Sequence, residues 1–246
     1  MKQIIDLTGK KVLVTGASSG IGRETAILLS QIGAHVVIVG RNTEELNNTL
    51  TQMEGDGHLA ISYDLSDLDN IKGLVKEAVA YDGEKLDGMV HCAGMTKRVS
   101  YRMLDSEKLD QVMKVNFYSF VELARQYADK KHNNGGSIVA ISSIAAVSAE
   151  PGQIAYGASK AAMNTAVVAL AKELIKKNIR VNSVMPSFIR TKMAEDFFAR
   201  AGEDVDIRQL MGIGEPIDVA NMIAFLLSDA AKFITGACYN VDGGKY

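Results

Sequence analysis

The sequence predicts an α/β fold: one three-layer, doubly wound sheet of seven parallel strands with helices on both faces, in a single domain. Three observations predict it. Seven short apolar runs alternate with helix-period segments along the whole chain, the rhythm of successive βαβ units with right-handed crossovers. Most of these runs are continuously apolar rather than alternating, so both faces of each strand are covered. A glycine-rich turn, Gly16 to Gly22, joins the first run to the first helical segment.

The first strand is predicted over 11–15, a run of β-branched and long apolar residues. Further strands are predicted over 35–39, 59–62, 88–92, 137–141, 180–185 and 237–241. The apolar spacing between them predicts helices over 21–32, 43–53, 68–81, 106–131, 154–177 and 217–227. The segment from 187 to 214 breaks this rhythm. It runs past Pro186 into helical stretches at 191–201 and 204–211 without a new strand. An excursion at a strand's C-terminal end is where a substrate lid would sit. Its Met193, Phe197, Phe198, Leu210 and Met211 suit an apolar or acyl-bearing substrate. Apart from this insertion, residues 1–246 read as one unit, with no linker, repeat or low-complexity stretch.

Composition narrows the function. A 246-residue chain is 47% hydrophobic and 23% charged, with a formal net charge of -2, which argues against a nucleic-acid binder. No apolar run approaches the roughly 20 residues of a membrane helix, and the first residues carry no apolar signal segment. Cys92 and Cys238 have no metal-ligand spacing, so no metal site is expected. Free thiols in a reducing cytoplasm are the expected state.

The turn Gly16-Ala17-Ser18-Ser19-Gly20-Ile21-Gly22 suits phosphate binding. Glycines allow a sharp turn and close approach of a pyrophosphate, and the N-terminus of the next helix faces the anion with free N–H groups and its positive dipole end. The spacing is not the G-x-G-x-x-G of the usual dinucleotide fingerprint. Farther on, Tyr156 and Lys160 stand four residues apart and share a helix face. An ammonium beside a phenol favours the phenolate, and such a pair can pass a proton to or from a substrate oxygen. Taken alone, the Tyr-Lys spacing is common on surfaces. Ser142-Ser143 ends the strand over 137–141, so it shares the sheet's ligand-bearing edge with the glycine turn.

Together these residues resemble the short-chain dehydrogenase/reductase family nearly end to end, with its Rossmann-type sheet. The turn Thr15 to Gly22, the Tyr156–Lys160 pair, Ser143 thirteen residues before Tyr156, and Asn116 in the preceding long helix match the family's motifs in order and spacing. The resemblance implies a catalytic tetrad. Tyr156 exchanges a proton with a carbonyl or alcohol oxygen, and Ser143 hydrogen-bonds that oxygen. Lys160 lowers the Tyr156 pKa and holds the nicotinamide ribose. Asn116 holds a water that links Lys160 to solvent. It also implies cofactor contacts at Gly16, Ser18, Ser19, Gly20, Ile21 and Gly22, at Asp64-Leu65 by the adenine, and at Tyr156 and Lys160. Two further stretches belong to the same set: Cys92-Ala93-Gly94, where relatives carry Asn-Ala-Gly, and Pro186 to Thr191, including Ile189, where Ser187 replaces the usual glycine.

Cofactor choice follows from charge. NAD-specific folds place an acid after the second strand; here the stretch reads Gly40-Arg41-Asn42. Gly40 brings no carboxylate, the Arg41 guanidinium suits a 2′-phosphate, and Arg41 and Asn42 are both expected at the cofactor. NADP(H) is therefore predicted over NAD(H). The substrate is predicted to be a small carbonyl or alcohol, with acyl thioesters among the candidates. Resemblance extends to 3-oxoacyl carrier-protein reductases and to sugar and secondary-alcohol dehydrogenases. Lys97, Arg98, Lys130, Lys131 and Lys172 are the cations that a carrier protein would meet. Apolar residues nearly surround the helices over 106–131 and 154–177, which predicts a homodimer or homotetramer through them. Two other functions stay open on sequence: a low-turnover dinucleotide sensor, and a structural subunit paired with an active homologue.

Overall fold

A computed structural model describes residues 5–195 and 207–245. Its seven strands are β1 (Lys11–Thr15), β2 (His35–Gly40), β3 (Leu59–Ser62), β4 (Leu86–His91), β5 (Asn133–Ile141), β6 (Ile179–Pro186) and β7 (Cys238–Val241). They form one parallel sheet in the order β3-β2-β1-β4-β5-β6-β7. The order reverses between β1 and β4, whose Leu13 and Met89 pair. At such a switch point the crossovers leave on opposite sides, and a crevice opens beyond the strands' C-terminal ends.

The helices are α1 (Gly20–Gln31), α2 (Thr43–Leu50), α3 (Ile71–Ala80), α4 (Ser106–Met113), α5 (Ser119–Tyr127), α6 (Ile154–Leu174) and α7 (Pro216–Leu227). The pleat divides β1 and β2 between two cores. Leu13, Val37 and Val39 join Leu74, Phe120 and Val167 of α3, α5 and α6 on one face. Val12, Val14, Val36 and Ile38 join Leu29, Leu46 and Ile223 of α1, α2 and α7 on the other. Both faces are covered, as the continuous apolar runs required.

The departures from expectation are local. The long helix over 106–131 is two helices joined by a π turn, Lys114–Tyr118, and ends at Tyr127. The helix over 154–177 closes in a 3₁₀ turn, Ile175–Lys177, stopped by Asn178 in the left-handed region at φ 58°. Of the predicted excursion, the first part begins a helical turn at Lys192, and residues 196–206, with Phe197 and Phe198, lie outside the described residues. The helix expected over 204–211 is not formed in its described part. There Arg208 takes φ 45°, and Gln209 makes an antiparallel bridge to Lys245. Leu210 and Met211 are 79% and 85% exposed. No described helix is long and apolar enough to cross a membrane.

Candidate active site

Two adjoining clefts open at the C-terminal edge of the sheet. One, of about 1110 Å³, is lined by Gly16, Ser18, Ser19, Gly20, Ile21, Gly22, Arg41, Asp64, Leu65, Cys92, Ala93, Gly94 and Thr191. The other, of about 1050 Å³, holds Ser143, Tyr156, Lys160, Pro186, Ile189 and Thr191. Both share Ile21, Cys92, Gly94, Thr191 and Met193, so they are two halves of one groove. Thus every residue expected at the cofactor lines it except Asn42. The Asn42 side chain instead caps α2, its Oδ1 accepting from the Glu45 N–H at 3.1 Å.

The first half fits a dinucleotide phosphate. A Cβ on Gly22 would fall inside van der Waals contact with the Gly16 carbonyl, and one on Gly16 would lie 2.7 Å from the Ala93 nitrogen. Only glycine lets the turn fold this tightly against β4. Ser19 stands at the N-cap of α1 without using its hydroxyl to cap, and the first turn carries no acid, so the helix end is open to an anion. Arg23, one turn in, is spent on Thr49, Ser18 and Glu45. Arg41 is exposed at the rim, and its charge helps to hold the Asp64 carboxyl below the usual range, behind the Ser66 backbone N–H as the larger cause.

In the second half, α6 brings Tyr156 against Ser143. This approach needs Gly157, whose Cβ would sit 2.8 Å from the Ala145 carbonyl. Ser143 caps a short turn at Ile144–Ala146, its Oγ accepting from the Ala145 N–H at 3.2 Å. Burial pushes the Tyr156 phenol above its ordinary value, and the Ser143 hydroxyl draws it back. Lys160 lies 5.7 Å from the Tyr156 ring centroid, is only 3% exposed, and donates to the Ile141 carbonyl at 2.6 Å. Burial depresses its own pKa to about 8.

Asn116 sits fully buried in the π turn, and its side chain is spent within the protein. Oδ1 accepts from the Met95 N–H at 2.8 Å, while Nδ2 donates to the Met95 carbonyl and to Ser159 Oγ at 3.0 and 2.9 Å. Ser159 in turn donates to the Tyr156 carbonyl. The Asn116 side chain therefore fastens β4's exit to the catalytic helix. The extra residue of the π turn re-aims a side chain in this way. Ser159 and Met95 escaped sequence reasoning because neither residue type signals a hydrogen-bond relay without the fold.

Other expectations resolve by position. Burial raises the Cys92 thiol to about 12, which disfavours the thiolate that a nucleophile needs. Lys130 and Lys131 precede β5, and Lys172 lies near the C-terminal end of α6, so all three stand toward the sheet edge opposite the groove. Lys97 pairs with Gln111, and Arg98 lines the catalytic half. That half also contains Ser148, Gln153 and Lys245, which sequence reasoning passed over because each comes from a loop or terminus with no motif.

Comparison with known proteins agrees with this geometry. Residues 16–245 match the family model described as enoyl-(acyl carrier protein) reductase. The chain is 37% identical over 244 residues to the 3-oxoacyl-[acyl-carrier-protein] reductase FabG of Thermotoga maritima, spanning 97% of this chain and 98% of that one. It is 37% identical over 243 residues to the reductase of the same name from Rickettsia conorii, spanning 98% of each. Among solved structures, a short-chain type dehydrogenase/reductase from Mycobacterium ulcerans superposes with a TM-score of 0.89 at 34% identity, over 98% of this chain and 90% of that one.

Proposed function

This chain belongs to the short-chain dehydrogenase/reductase family and is an oxidoreductase of carbonyl and alcohol groups; we propose that it works with NADP(H) and uses Tyr156 as general acid and base. The observation that carries the proposal is the junction of the two half-grooves. There Tyr156, Ser143 and Lys160 line the catalytic half, and the residues shared with the glycine-walled half join the two.

When bound, the nicotinamide supplies or accepts the hydride. The chain's own residues do the rest. Gly16, Gly20 and Gly22 present backbone and the α1 end to the pyrophosphate, and Arg41 meets the 2′-phosphate. The Tyr156 phenol, protonated at neutral pH as an ordinary phenol is, gives its proton to the carbonyl oxygen during reduction. Ser143 Oγ donates a hydrogen bond to the same oxygen as negative charge builds there. The Lys160 ammonium then stands beside the phenolate so formed, below its pKa of about 8. The relatives named above make a 3-oxoacyl thioester the first substrate to test. We also infer a homodimer or homotetramer through α4, α5 and α6, where Tyr118, Val121 and Val168 face outward.

Tyr156→Phe tests the mechanism. With 3-oxoacyl thioesters, ketones and keto-sugars under NADPH and NADH, the variant should lose about 10²- to 10⁴-fold in kcat/KM. Its NADPH Kd should match wild type. Equal turnover by both proteins would remove Tyr156 from its role.

A further inference from the structure

We infer that the catalytic half of the groove selects carbonyl substrates bearing an oxyanion on the arm away from the reacting carbon, and that Lys245 recognises it. This rests on the reductase reading of the same site.

Four charged residues line this half: Arg98, Glu150, Lys160 and Lys245. Lys160 is committed to the Ile141 carbonyl beside the phenol. Arg98 and Glu150 lie within each other's field, which favours the charged guanidinium and offsets the pair. Lys245 has no carboxylate against it among the described residues of this lining. Among the described residues it adds one uncompensated positive charge to a wall made mostly of apolar side chains and hydroxyls.

Its ammonium is also held in place. The backbone at Lys245 bridges antiparallel to Gln209. Nζ donates to the Ile207 carbonyl at 3.1 Å and lies 5.4 Å from the Phe188 ring centroid. Gln209 fastens the same wall, accepting from the Phe188 N–H at 3.1 Å and donating to its carbonyl at 3.3 Å. Among the described residues one N–H of the ammonium is spent, and two remain for a carboxylate or phosphate. The rotamer entropy of the long side chain is lost before any substrate arrives, which favours binding.

The oxyanion has two chemical sources: a carboxylate of the substrate itself, or the phosphate of a pantetheine-type arm. Two matched pairs separate them. The first is a 3-oxo acid against its methyl ester. The second is a 3-oxoacyl 4′-phosphopantetheine thioester against the unphosphorylated thioester. Wild type should favour the anionic member of one pair about tenfold or more in kcat/KM, and that pair names the source. Lys245→Gln should lower kcat/KM for that member about tenfold and leave its neutral partner within about twofold. Lys245→Arg should restore the preference, and the preference should shrink with added salt. Equal loss on both members, or no preference by wild type in either pair, overturns the inference while turnover of the neutral members keeps the reductase reading. If wild type reduces no member of either pair and nothing in the wider ketone panel, the reading falls and takes the inference with it.

Discussion

Along the nucleotide half of the groove the tightest wall is backbone: Gly22 closes on Gly16, and Gly16 on the chain leaving β4. The catalytic half is walled by side chains from separate segments, Ser143 after β5, Tyr156 and Lys160 on α6, Phe188 after β6, and Lys245 at the C-terminal end. The two halves therefore answer mutation differently. A change in the backbone wall disturbs the fold itself, because nothing can rotate out of the way. A change in the side-chain wall disturbs chemistry or selection and leaves the sheet intact.

The contrast is broken most severely at Gly22. A methyl there meets the Gly16 carbonyl, which is backbone and buttressed by β1 and β4. Gly22→Ala should cost about 3 kcal/mol of stability, at the upper end of overpacking costs, and abolish dinucleotide binding. The denaturant midpoint and a fluorescence titration with NADPH read the two effects. Tyr156→Phe, in the other half, should leave the midpoint nearly unmoved. A Gly22→Ala protein with wild-type midpoint and affinity would show that the turn has slack and that the halves do not differ as argued.

A smaller effect is expected at Arg41, which lies on the rim of the backbone half but acts through its side chain. Arg41→Asp replaces an attraction for the 2′-phosphate with a repulsion. It should weaken NADPH binding about tenfold to a hundredfold, the size of one or two charge-assisted hydrogen bonds. NADH affinity should change by less than about threefold. Because the residue is exposed, the unfolding midpoint should stay put. Unchanged NADPH affinity would remove Arg41 from the cofactor and leave it a solvated loop charge.

The same contrast explains how much was legible in the sequence. The seven strands were readable because continuous apolar runs of four to eight residues carry their own signature, and the glycine turn because its geometry allows few alternatives. Ser143, Tyr156 and Lys160 were readable as an ensemble in fixed order. Asn116 was readable as a position, but the bonds of its amide to Met95 and Ser159 were not. A π turn has no sequence signal, and it is the π turn that turns the amide onto Met95 and Ser159. The cap that Asn42 makes on α2 was not readable, because a cap and a ligand contact draw on the same residue type at the same loop. Lys245 was invisible because its place depends on a bridge to Gln209, thirty-six residues away in the chain and set by no local pattern.

Lys160 sharpens the comparison from the side of stability, with the smallest expected effect. Its pKa falls from 10.5 to about 8 because burial disfavours the ammonium. Below about pH 8 the folded chain carries the full cost of that buried charge. Between about 8 and 10.5 the folded chain has shed a proton that the unfolded chain keeps, so this group's contribution to stability rises with pH through that window. Lys160→Met removes the titration while filling similar volume, at the loss of the hydrogen bond to the Ile141 carbonyl. All other groups cancel when the two proteins are compared at each pH. The melting temperature of the variant minus that of wild type should therefore be larger at pH 7 than at pH 10, by about 3 °C or more for a chain of this size. The variant should also be inactive, so that the side-chain wall trades stability for chemistry at this position. A difference that stays flat from pH 7 to pH 10 would mean that Lys160 keeps its ordinary pKa. In that case the catalytic half would be wetter than its burial implies.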